Sequence, residues 1–225
     1  MRKLVFGLIA LLSLFLVVEI GVTLLSQKGM ERALQAQYDL PSSLQVSINS
    51  FPFILSLARN HLAELEVSWE QELEYVVEEG MYARVPCGTV VDLYDVELNM
   101  TSLFGGKLDI RSISRMKAIM SFDAKAIADL FGLPEEEFVI QDDEFFRILD
   151  GEKYQYKIKV NGDSSLELSP YGRSTLDEGS SEKADSPVEI AEFTSLPLGS
   201  SLKRASIDGG KVVIEISIPM WEGYL

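Results

Sequence analysis

The 225-residue chain carries one cysteine, Cys87, and one histidine, His61. A lone cysteine excludes any disulfide within the chain. One histidine excludes every site that needs two imidazole ligands and leaves Cys/His metal clusters short of donors. A nucleophilic triad would have to centre on His61, and no nucleophile-elbow pattern is present. His61 therefore reads as a surface or turn residue. Phosphate-cradling glycine loops and the dinucleotide fingerprint are missing too, so no metal and no cofactor is expected. Positive charge is scarce: 20 Lys and Arg stand against 35 Asp and Glu, a net charge of -15. So acidic a body gains little from neutralising phosphates, which argues against nucleic-acid binding. An anionic membrane surface would also repel it, unless its cations are unevenly spread.

Met1-Arg2-Lys3 is followed by the uncharged apolar run Leu4–Val18. Glu19 interrupts, and Ile20–Leu25 resumes the apolar character. A positive start and an apolar stretch fit a secretory signal, but no clear small-x-small cleavage site follows. Counted through Leu25 the segment has 22 residues, long enough to cross a bilayer. The Arg-Lys start favours a cytoplasmic N-terminus. An uncleaved signal-anchor over 1–25 is the favoured reading. It makes the protein single-pass in the cell membrane with its domain, 26–225, outside. The alternative is a cleaved signal and a secreted or periplasmic protein. Either way the body is exported. Met30, Leu34 and Tyr38 share a helical face, so the helix should continue and stop near Pro41.

Beyond Pro41 the pattern turns to period two. Leu44, Val46 and Ile48 alternate with polar residues, as do Leu65, Val67 and Trp69, and Val96, Leu98 and Met100. Tyr154, Tyr156, Ile158 and Val160 do the same, and Val212, Ile214, Ile216 and Ile218 close the series. One face buried and one wet is the mark of antiparallel strands. Gly105-Gly106, Asp150-Gly151, Asn161-Gly162 and Asp208-Gly209-Gly210 supply turns, and the meander 138–168 reads as local hairpins. One helix interrupts the strands: Asp123 is its N-cap, Ile127, Leu130 and Phe131 form its apolar face, and Gly132 and Pro134 end it. The polar stretch 172–187 reads as a solvated loop within one domain.

Three constellations carry functional alternatives. In "VSINSFPFILSLARNHLAELEVSW", Pro52 should end the first strand. Phe51 and Phe53 then stand at a corner followed by Ile54, Leu55 and Leu57. The corner either plugs the end of a sheet or lines an apolar cavity. In "GGKLDIRSISRMKAIMSF", Lys107, Arg111, Arg115 and Lys117 oppose only Asp109. All five charged residues share odd parity, so an unbroken strand would put them on one face with apolar groups behind. They either balance nearby carboxylates or contact an anionic headgroup. The acidic clusters, Asp142-Asp143-Glu144 among them, read as solvated faces, although paired carboxylates also serve glycan hydrolases. Asn99-Met100-Thr101 matches a glycosylation sequon.

Taken in order, these segments resemble the LmeA-like phospholipid-binding proteins of the bacterial cell envelope. The resemblance rests on the apolar N-terminus, "ERALQAQ", the Phe-Pro-Phe corner with its flanking strands, "LFGGKLDIRSI", "SFDAKAIADLFGLP" and the closing "LPLGSSLKRASIDGGKVVIEISI". It covers nearly all of residues 1–220. Ser50 stands where the family commonly has glycine, and the acidity and the 172–187 stretch are less typical. The resemblance implies an α+β fold: a curved, mainly antiparallel sheet packed on a few helices, similar to tubular lipid-binding folds, behind an N-terminal transmembrane or signal helix. It also implies phospholipid binding without covalent chemistry. The expected acyl-chain residues are Phe51, Phe53, Ile54, Leu57, Leu130 and Phe131. Lys107, Arg111, Arg115 and Lys117 are the expected headgroup contacts. The expected partners are phospholipid and, through the N-terminal helix, the membrane, with no nucleic acid. Two other readings remain open: an envelope assembly module that binds a protein through a sheet edge, and an acidic-pair glycan hydrolase.

Overall fold

The computed structural model describes residues 2–78, 80–104, 106–149, 151–170 and 189–224. The loop expected over 172–187 lies outside the described residues. The chain divides into two compact units. The first holds Met1–Trp69, Val90–Lys117 and Gly223–Leu225; the second holds Glu70–Thr89 and Ala118–Glu222.

The first unit opens with α1, Arg2–Tyr38. An apolar run without proline permits so long a helix, and Asp39 in the left-handed region (φ 54°) followed by Pro41 ends it. The helix has two halves of different character. Residues 5–18 are exposed on every side, whereas Glu19, Ser26, Met30, Ala33 and Leu34 are buried along one stripe. Over Val5–Tyr38 the helix is long and apolar enough to cross a membrane. Its buried stripe packs on β1 (Gln45–Ile48), α2 (Phe53–Arg59) and α3 (Met100–Phe104).

Strand β1 pairs antiparallel with β2 (His61–Glu78), Val46 opposite Val67 and Ile48 opposite Leu65. Pro52 ends the extended segment as expected, and α2 follows at once. Asn60, left-handed at φ 55°, closes α2. Ser50 fastens this corner to the sheet: its Oγ accepts the N–H groups of Ala63 (2.8 Å) and Glu64 (3.4 Å). A glycine there could not make either bond.

Strands β2, β3 (Met81–Leu98) and β4 (Ile110–Phe122) contribute residues to both units. The second unit adds α4 (Ala124–Leu130), β5 (Phe138–Gln141), β6 (Glu144–Leu149), β7 (Glu152–Asn161) and β8 (Ser165–Pro170). It then adds β9 (Glu189–Phe193), β10 (Ser201–Asp208), β11 (Lys211–Ser217) and the short α5 (Pro219–Glu222). The strand order is β10-β11-β4-β3-β2-β9-β8-β7-β6-β5, with β1 also on β2. β5 to β9 form a chain of antiparallel neighbours, and β10 and β11 form the last hairpin. Within the second unit β10 comes back against β7, and the Leu202 N–H donates to the Asp163 carbonyl (2.8 Å). Phe122 stacks with Phe193, and Phe138 packs on Phe145. The Asp123 side chain accepts the Ala126 N–H (2.7 Å), the N-cap read from the sequence. The fold class is the expected one: α+β, an antiparallel sheet with a few helices and a long apolar N-terminal helix.

Two local expectations need correction. Met100 does not continue the strand of Val96 and Leu98; it opens α3, and the Ser102 hydroxyl donates to the Asn99 carbonyl to stabilise that turn. The even-odd alternation of 105–122 is also broken. Lys107 precedes β4, and Ile113, at an odd position, is buried. The Ile113 N–H is taken by the Tyr224 carbonyl (2.8 Å), a partner from the chain's far end that period-two reasoning cannot supply.

Two tests follow from this packing. The carboxyl oxygens of buried Glu19 accept the N–H groups of Phe53 and Ile54, the latter at 3.1 Å. Glu19→Ala leaves both donors unsatisfied and should cost on the order of 2 kcal/mol, measured by chemical denaturation of the full chain in detergent. An unchanged midpoint would contradict the assignment. Burial pushes the Cys87 thiol up to about 12. An unfolded thiol titrates near ~8.5, so the folded state keeps a proton that the unfolded state loses, and stability falls as pH rises above that value. Native Cys87 should resist a thiol reagent at neutral pH and react only on denaturation. Rapid labelling of the native chain would refute this.

Candidate functional site

In the first unit, the corner at the start of α2 sorts its apolar side chains by depth. Phe53 has 0% exposure, Ile54 and Leu57 are half-buried, and Phe51 is 74% exposed. Helical geometry explains the split. Phe53 starts α2 and turns into the core, while Phe51 precedes the helix and sits outside that packing. Zero accessible surface also means that no water-sized hollow adjoins the Phe53 ring. The main chain here is held by Glu19 from α1 and by Ser50 from the corner itself.

The expected cations lie elsewhere in the same unit. Arg111, Arg115 and Lys117 are exposed along β4, and Lys107 is exposed in the turn before it. The Arg115 guanidinium stands 4.1 Å over the Tyr94 ring, a cation–π contact that leaves its charge unneutralised. Among the described residues, Lys107, Arg111 and Lys117 have no carboxylate within ion-pair distance. Other cations do have carboxylate partners: Arg84 lies 3.9 Å from both Glu72 and Glu74, Arg147 pairs with Glu137 at 3.0 Å, and Arg204 with Glu215 at 3.4 Å. The 107–117 segment is thus a local excess of positive charge in an acidic protein, suited to a phosphate.

In the second unit, Leu130 is buried in the last turn of α4 and Phe131 is half-buried at its C-cap. Gly132 at φ 65° then turns the chain towards Pro134. Tyr75 from β2 donates its hydroxyl to the Asp129 carbonyl (2.6 Å), fixing α4 against the sheet. Burial, and then the nearby Asp129 charge, raises the Tyr75 phenol above its ordinary value.

The second unit also holds a cavity of about 500 Å³ that local sequence patterns do not reveal. Val76, Tyr82, Phe193 and Leu196 give it apolar wall, and Asp163, Glu192, Ser164 and Thr194 give it polar wall. None of the residues expected to bind lipid lines it. Its one sequence signal is the Leu-Pro turn: Leu198 (φ 55°) and Gly199 (φ 63°) bend the chain so that Leu196 and Ser200 both reach the wall. Ser200 is buried, and its Oγ has no hydrogen-bond partner among the described residues. The volume falls in the ~300–1,000 Å³ range usual for small-molecule sites.

The remaining chemistry-bearing residues have plain structural duties. Asp142 (φ 53°) and Asp143 (φ 58°) are the exposed central pair of the β5–β6 hairpin. A tight turn with positive φ at both positions favours Asp, so backbone geometry accounts for the acidic pair. His61 begins β2 beside Asp95, 3.6 Å away. Asn99 of the sequon accepts the Thr101 hydroxyl and donates to Asp109.

No curated protein and no solved structure matches the chain significantly. A family model described as LmeA-like phospholipid-binding matches residues 17–217. The match takes in the second half of α1 and all eleven strands, and on that breadth the chain belongs to the LmeA-like phospholipid-binding family.

Proposed function

We propose that this protein is a membrane-anchored, non-catalytic phospholipid binder that works on the outer side of the cytoplasmic membrane, in maintenance or transport of envelope lipid. The observation that carries the reading is the family match over 17–217. Burial of acyl methylenes supplies about 0.8 kcal/mol each. About ten of them give on the order of 8 kcal/mol, the scale of a micromolar Kd. Binding on that scale needs no catalytic group.

In this reading Ile54 and Leu57 on α2 of the first unit, and Phe131 at the C-cap of α4 of the second, supply acyl contacts within their own units; Leu130, buried in α4, takes part only when that helix shifts. Phe51 offers its exposed ring. Phe53, having no free surface, takes part only when α2 shifts. Lys107, Arg111, Arg115 and Lys117 meet the phosphate. The anchor is α1, retained uncleaved. Glu19 supports retention, because cleavage near residue 25 would remove the group that holds the start of α2. Arg2 and Lys3 favour a cytoplasmic N-terminus.

Protein purified gently in mild detergent should carry phospholipid detectable by mass spectrometry, and intact mass should include residues 1–25. Replacing Lys107, Arg111 and Lys117 together by alanine should reduce lipid uptake from anionic liposomes by roughly tenfold, about 1.4 kcal/mol, with little change for neutral liposomes. Protein that neither co-purifies with lipid nor takes it up from liposomes would overturn the proposal.

A further inference from the structure

The exposed apolar residues beside α1 bear on how the body meets its membrane. Glu19 is buried, and its oxygens hold the N–H groups of Phe53 and Ile54. The start of α2 is therefore pinned to residue 19 of α1, and its height along the helix is known. Residues 5–18 of α1 are exposed and almost wholly apolar on every side, a surface suited to a bilayer.

The length of that run sets where the bilayer ends. Leu4–Val18 alone would rise about 22 Å, short of the ~30 Å hydrocarbon core. Leu4–Leu25 rises about 33 Å, which fills it. Ile20, Leu24 and Leu25 are exposed apolar residues, as a span continuing past Glu19 requires. The hydrocarbon edge thus falls near Leu25, about 9 Å beyond the level of Glu19. The beginning of α2 lies below that edge. Phe51 and Leu55, 74% and 51% exposed, stand there with nothing among the described residues covering them.

We propose that the Phe51–Leu55 corner is a membrane-inserted wedge, seated in the leaflet of the same bilayer that α1 spans. The proposal rests on α1 being a retained anchor. Three observations fit a hydrocarbon setting. The two N–H groups at the corner are satisfied internally by Glu19, as backbone in lipid demands. The apolar face would sit about 5–10 Å deep, the depth of interfacial helices. Arg59 at the end of α2 and Arg32 on α1 are exposed and can reach phosphates at the boundary. Ile54 and Leu57, on the same short helix, would then adjoin the bilayer's own acyl chains, so a lipid could leave the leaflet at this corner without crossing water.

Single cysteines test this in full-length protein reconstituted in nanodiscs of phosphatidylcholine and phosphatidylglycerol, because buried Cys87 should not label. Leu55→Cys and, independently, Phe51→Cys carry an environment-sensitive fluorophore. Lys203→Cys on β10 reports an aqueous site and Leu14→Cys the anchor. The labels at 51 and 55 should be blue-shifted, quenched by shallow spin-labelled acyl chains, and roughly threefold less quenched by aqueous iodide than the label at 203. If 51 and 55 behave like 203 while 14 is quenched from the acyl chains, the wedge is refuted and the anchor stands. If 14 is also water-exposed, the anchor reading fails and the wedge with it.

Discussion

The hydrogen bonds from the start of α2 to Glu19 set the architecture of the first unit. A carboxyl group inside an otherwise apolar helix is costly, and it persists where something satisfies it. Here the satisfaction is mutual. The first N–H groups of a helix have no intrahelical partner, and Pro52 just ahead of α2 has no side chain that could cap them. Glu19 supplies the missing acceptors from 34 residues away. One pair of groups thus closes two deficits, and it ties α1 to α2 within the first unit.

How far the fold could be read depended on whether its cause was local. The alternation of Leu65, Val67 and Trp69 reports a half-buried strand because burial has the same period as the backbone pleat. Asp123 and Gly132 bracket α4 because a cap bond and a left-handed turn are both made within a few residues. Met100 was misread because the α3 turn overrides the alternation before it, and the alternation of 105–122 fails at Ile113, whose N–H bonds to the distant Tyr224 carbonyl. Glu19 looked like an interruption of an apolar run. Its meaning lies in an N–H that sequence spacing cannot bring near.

The candidate lipid-binding surfaces divide in the same way. The Phe-Pro-Phe corner was visible as a pattern, but not which ring goes in and which stays out; that depends on where α2 begins. The cationic run 107–117 was visible as a charge reversal, and the structure adds that its members lack carboxylate partners among the described residues. Of the cavity, only the Leu-Pro turn at one wall had a local signal. Val76, Tyr82, Asp163, Glu192 and Ser200 come from segments far apart in the chain; the pairing of β9 with β2 and β8 brings Val76, Glu192 and the 163–164 turn together, and β10 lying against β7 adds Ser200.

Net charge and local charge then point in opposite directions, and distance decides between them. A chain of -15 should be repelled by anionic lipid. At physiological ionic strength, however, exposed charges are screened over about 8 Å, so a phosphate responds to its nearest neighbours and not to the total. Arg84, Arg147 and Arg204 spend their charge on carboxylates within 4 Å. Lys107, Arg111 and Lys117 do not, and Arg115 keeps its charge above a neutral ring. In the proposed reading, a phosphate at β4 would meet Arg111, Arg115 and Lys117, with Lys107 in the turn before the strand and Asp109 the one acidic residue within the run. In the proposed membrane-anchored setting, the acidic surplus would discourage the rest of the body from lying against the bilayer, leaving contact to the elements with apolar or cationic surface.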